Sequence, residues 1–103
     1  CGKCTPCRVG THWLTQILQK IEDGRAAQSD LDLLLDVCDR ILGKCLCPLG
    51  DSDAIAVASY VDKFREEFQA HIDHGGCPLG GSSSLEALLA PVDMHTAHAA
   101  VPA

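Results

Sequence analysis

From Trp13 to Ile72 the apolar residues recur every three or four positions, the period of helices with one buried side. Trp13, Leu14, Ile17, Leu18 and Ile21 make the first stripe. Ahead of it Thr5 and Pro6 supply a helix start, Thr as N-cap and Pro at the first helical position, and Asp23-Gly24 closes it. Leu31, Leu34, Leu35, Cys38, Ile41 and Leu42 make the second, opened by Ser29 and Asp32 in the manner of a capping box and stopped by Gly43. The third stripe is capped by Asp51 or Ser52 and places Ile55, Ala58, Val61, Phe64, Phe68 and Ile72 on one side. His74-Gly75-Gly76 terminates it. No segment keeps the two-residue period of a strand over a useful length. The pattern predicts an all-α fold, a small antiparallel helical bundle of three main helices over residues 1–76. From Cys77 onward the chain turns to Gly, Ser, Ala, His and Pro, which reads as a flexible C-terminal tail over 77–103. Ser83 with Glu86 leaves room there for one short helix at 84–90.

Composition changes this picture in two respects. Hydrophobic residues are 47% of the 103 but aromatic ones only 4%, so aliphatic side chains must fill a modest core. The net charge is −6 and the basic residues are scattered, often beside Asp or Glu, which argues against a nucleic-acid partner. No apolar run approaches the roughly 20 residues that span a bilayer. There is no glycine-rich phosphate loop and no nucleophile elbow. The charged residues of the third stripe read as a solvated face rather than a catalytic carboxylate pair. The chain opens on Cys1 rather than Met, and a longer polypeptide is expected to precede it.

The cysteines carry the chemistry. There are seven, and three of them form Cys1-x-x-Cys4-x-x-Cys7, with Gly2 free to adopt unusual dihedrals between the first two. Two-residue gaps let a chain wrap one corner of a compact iron–sulfur cube, and a fourth iron then needs a ligand from elsewhere. Cys7 falls in the first turn of helix one, where unpaired amides and the positive end of the dipole favour an anionic cluster; Arg8 adds to that. Cys47 is the expected fourth ligand, because it lies in a short Pro/Gly loop held between two amphipathic helices. Cys77 carries the same Cys-Pro-Leu-Gly sequence but opens onto the tail. Cys45 is expected to point away from Cys47, and Cys38 to be a buried apolar thiol. His12 reads as a surface residue, and His95 and His98 as solvated tail residues. On spacing alone, a structural zinc site in an interaction module and a disulfide scaffold remain open beside the iron–sulfur reading.

Cys1-Gly2-Lys3-Cys4-Thr5-Pro6-Cys7-Arg8-Val9-Gly10-Thr11, then Trp13-Leu14, Cys47-Pro48-Leu49-Gly50-Asp51 and Phe64-Arg65-Glu66-Glu67-Phe68 resemble the C-terminal iron–sulfur domain of the NADH-binding flavoprotein subunit of NADH:quinone oxidoreductase. The resemblance implies a small helical bundle with a [4Fe–4S] cluster on Cys1, Cys4, Cys7 and Cys47. It implies an electron relay, with the NADH and FMN sites in a domain preceding this one and further iron–sulfur subunits as partners. It also implies a cytoplasmic location, in a peripheral arm on the inner face of the cell membrane without direct membrane insertion. Related subunits serve NAD-linked hydrogenases and formate dehydrogenases, so the resemblance leaves the final acceptor unnamed. The chain departs from the family pattern at Cys45, where Thr is common, at Pro48, where Ala is common, and at 54–57, which lacks the usual Trp-Pro. None of these removes a ligand.

Overall fold

The computed structural model describes residues 1–78 and is helical throughout its ordered elements. Helix α1 spans Thr5–Glu22, α2 Gln28–Ile41, α3 Pro48–Lys63 and α4 Arg65–His74. The central element is α2, which packs against both α1 and α3, while α4 touches all three. Its stripe of Leu31, Leu34, Val37, Cys38 and Ile41 is buried against Leu14, Ile17 and Ile21 of α1 and against Ala54 and Val61 of α3. Aliphatic side chains and one thiol thus fill the core, as the low aromatic content requires.

The third stripe does not run as one helix. Phe64 leaves helical geometry, with φ −118° and ψ 30°, and separates α3 from α4. The buried residues of α3 are Gly50, Ala54 and Val61, while Ile55 and Phe64 are about half exposed, at 57% and 49%. The break re-aims the chain so that Phe68 and Ile72 of α4 pack on the core. Three expected helices are therefore four. The segment 84–90 lies outside the described residues.

The caps also differ from the expected ones. Cys4 and Cys47, both extended, are the N-cap residues of α1 and α3 in place of Thr5 and Asp51. Pro6 and Pro48 lie in the first turns, where a missing N–H costs no helical bond. Helix α2 begins after Ala27, and the expected Ser29–Asp32 box does not form. Asp30 does that work: its carboxylate accepts from the Ala27 amide at 2.7 Å and from Lys20 Nζ at 2.8 Å. One buried carboxylate thereby caps α2 and ties it to α1. The lysine beside it, followed by the Ala27 amide, holds its pKa below the ordinary carboxylate value.

Candidate metal centre

The N-terminal ends of α1 and α3 meet at one pole of the bundle, together with the C-terminal end of α2. Two glycines permit the approach. A Cβ on Gly10 of α1 would lie 2.6 Å from Cγ1 of Ile41, and a Cβ on Gly50 of α3 would lie 3.3 Å from its Cγ2. Ile41, at the end of α2, is thus clasped by bare backbone from both neighbouring helices.

The first cysteine loop is built around Gly2, whose φ of +79° suits glycine. Arg8 Nη1 donates to the Gly2 carbonyl at 2.6 Å, and the Arg8 amide donates to the Cys4 carbonyl at 2.9 Å. These bonds fold the loop back on the first turn of α1. Cys4 and Cys7 are half-buried there, and Cys1 is exposed at the chain start. Arg8, expected only as a positive charge near the site, is also the clip that holds the loop.

The second loop joins α2 to α3. Asp51 Oδ1, in the first turn of α3, accepts from the Gly43 amide at 2.8 Å and pins the loop from below. The Leu46 amide donates to Cys4 Sγ at 3.3 Å, which joins the two loops directly. Cys47 follows, exposed, at the head of α3. Neither Cys4 nor Cys47 makes a side-chain capping bond, so both helix heads keep first-turn amides for an anionic group.

Cys45 has a role that its spacing from Cys47 does not disclose. Its Sγ turns inward toward Cys4 and Cys7, lies 3.7 Å from the Ile41 carbonyl, and occupies the space that a Cβ on Gly50 would need. Burial pushes this thiol's pKa up, with the neighbouring Cys4 and Cys7 thiols adding to the effect. A neutral thiol that packs the floor of the site suits that environment. The sequence signal is Gly50, five residues on, which leaves room for one sulfur. Cys38 is buried in the core as expected, its pKa raised by burial and then by Asp53. His12 is exposed on α1, also as expected. Cys77 lies away from this pole, beside Glu22 and His71.

The donors gathered at this pole are thiols, the ligand type that holds an iron–sulfur group, one at each iron. Two helix heads and an amide donated to Cys4 Sγ suit an anionic group.

Residues 1–71 match the NADH-ubiquinone oxidoreductase-F iron-sulfur binding region. The chain belongs to that family. Membership assigns it a [4Fe–4S] cluster as cofactor. Among curated relatives, the F subunit of NADH-quinone oxidoreductase from Mycobacterium bovis is 51% identical over 85 residues, which is 82% of this chain and 19% of the relative. Its counterpart in Streptomyces coelicolor is 51% identical over 84 residues, with the same coverage. The NADP-reducing hydrogenase protein HndC of Solidesulfovibrio fructosivorans is 41% identical over 78 residues, 76% of this chain and 16% of the relative. The chain thus spans about a fifth of the length of the two quinone-oxidoreductase relatives. This iron–sulfur binding region is an electron-transfer domain, and no described helix is long and apolar enough to cross a membrane.

Proposed function

We propose that this domain holds one [4Fe–4S] cluster on Cys1, Cys4, Cys7 and Cys47 and relays electrons from an NADH-reduced flavin toward further iron–sulfur centres. The bound cluster supplies one-electron redox chemistry. The Leu46 amide on Cys4 Sγ is the observation that carries the reading, because it brings the loop leading to Cys47 onto the loop of the triplet. An amide donated to a ligand sulfur disperses negative charge and favours the reduced state. Cys4 and Cys47, as N-caps, set their sulfurs at two helix heads whose dipoles act in the same sense. Gly2 and Arg8 fix the turn that places Cys1, and Cys45 with Ile41 closes the floor against water.

In this reading the NADH and FMN sites lie in a preceding domain of a longer subunit, and the partners are the other iron–sulfur subunits of the complex. The assembly stands on the cytoplasmic side of the membrane. The domain alone catalyses no reaction. A second acceptor class is supported by the HndC match, which places a hydrogenase component among the relatives.

Anaerobic reconstitution with iron and sulfide tests the ligand set. About four iron per chain and a brown protein are expected, lost in Cys47→Ser and kept in Cys77→Ser. Stoichiometric zinc in place of iron, or loss of the cluster in Cys77→Ser with retention in Cys47→Ser, refutes the assignment.

A further inference from the structure

We propose that Glu22, His71 and Cys77 form a second metal site, for a single zinc-like divalent ion, at the end of α1 opposite the cluster cysteines. One ligand atom from each lies within 4.8 Å of the others. The 18 residues of α1 put about 27 Å of helix between this site and the cysteine pole. It is independent of the cluster.

Backbone packing brings the three together. The Gly24 turn after α1 lies so close against Gly75, after α4, that a Cβ on Gly24 would overlap the Gly75 carbonyl. Gly75 is left-handed, at φ 76°, and Gly76 returns its amide to the His71 carbonyl at 3.0 Å. This double-glycine turn directs the chain back along α4 and delivers Cys77 beside His71.

The imidazole is oriented for metal binding. Nδ1 lies 2.8 Å from the Glu67 carbonyl, which can only accept, so Nδ1 carries the hydrogen. In the neutral ring Nε2 then presents its lone pair to Glu22 Oε2, 3.5 Å away. A ring nitrogen fixed by a bond from its other N–H to a backbone carbonyl is the usual outer-shell arrangement of a ligating histidine. A lone pair facing a carboxylate leaves a gap that either a proton or a metal ion fills. A proton on Nε2 would satisfy that pair, but it gives no reason for a thiol as the third group. Imidazole, carboxylate and thiolate together make the borderline donor set that zinc accepts, with a fourth position left for water.

The local field has the right sign. Glu22 ends α1 and His71 lies in the last turn of α4, so two negative helix ends face the site. The nearby cations are engaged elsewhere, Arg25 with Asp23 at 2.8 Å and Lys20 with Asp30 at 2.8 Å. A bound ion would fasten the segment after α4 to the end of α1, as a structural clamp.

The test uses the full chain after anaerobic cluster reconstitution, titrated with Zn2+ against a chromophoric chelator and counted for both metals. One zinc per chain is expected with the iron content unchanged, and zinc should protect Cys77 from alkylation, read by peptide mass. Cys77→Ser and His71→Gln should each weaken zinc retention at least about tenfold and leave iron in place. Cys77 protection is read without reference to iron, so it stands whether or not the cluster assignment does. No zinc retained, zinc gained only as iron is lost, or retention unchanged in both variants would overturn the proposal.

Discussion

Ile41 Cγ1 occupies the position that a side chain on Gly10 would take, 2.6 Å from where its Cβ would stand. Ile41 is itself 1% exposed and has nowhere to retreat, since Gly50 closes on its other methyl. Gly10→Ala should therefore destabilise the protein by about 1–3 kcal/mol through overpacking. This exceeds the gain of roughly 1 kcal/mol that alanine brings to a helix interior. Thermal melting of the cluster-loaded chain measures it, and a melting temperature equal to or above wild type would show that the approach of α1 to α2 is slack.

Gly50 makes a sharper case, because the obstructing atom is a sulfur that can be removed. A Cβ there would lie 2.7 Å from Cys45 Sγ. Gly50→Ala should push the 43–47 loop outward and reduce cluster yield on reconstitution. Adding Cys45→Ala should restore most of it. If the double variant is no better than Gly50→Ala, Cys45 is not the floor of the site.

Asp30 gives a pH signature. Its folded pKa lies below the 3.8 of a free carboxyl, so its contribution is complete above that value and fades as pH falls through the lowered folded pKa. Asp30→Asn should cost about 1 kcal/mol at neutral pH, from the lost charge on the α2 amide and on Lys20. The difference from wild type should be flat above about pH 5 and shrink below the ordinary carboxyl value. Urea denaturation of both proteins across that range reads it directly. A difference that grew on acidification would reverse the sign and discard the explanation.

Removing the cluster should loosen the whole bundle. The buried side chains are few and mostly aliphatic, and a core of this size leans on its metal. Chelation under reducing conditions is expected to abolish cooperative melting. A chelated chain that melts as sharply as before would mean that the bundle stands on its own packing.

Much of this is legible in the sequence because it is local. Leu14, Ile17 and Ile21, then Leu31, Leu34, Cys38 and Ile41, declare their helices by spacing, and the same residues are the core. Gly24, Gly43 and Gly75 end helices through positive φ, a property of the residue itself. What the spacing misses depends on distant partners. Asp30 rather than Ser29 governs the start of α2 because Lys20, on another helix, pairs with it. Phe64 keeps the apolar period through its own break, so no spacing argument shows that it is half exposed. Cys45 hides its inward turn because only Gly50 and the first turn of α1 make room for it. Cys77 reads as part of a tail because its neighbours, Glu22 and His71, come from two different helices.

The bond from the Leu46 amide to Cys4 Sγ spans 42 positions of the chain. Helices α1 and α2 need only a short turn to meet; the loop carrying Leu46 reaches Cys4 once α2 lies along α1, and the head of α3 with Cys47 joins them last. Contacts of such sequence separation close late, after the cost of a long loop has been met. A chain emerging in the cell would therefore present the triplet of cysteines early and the complete pocket only at the end of folding. Delivery of iron and sulfide is then timed by topology, and a slowed docking of α3 would leave the chain exposed to the wrong metal.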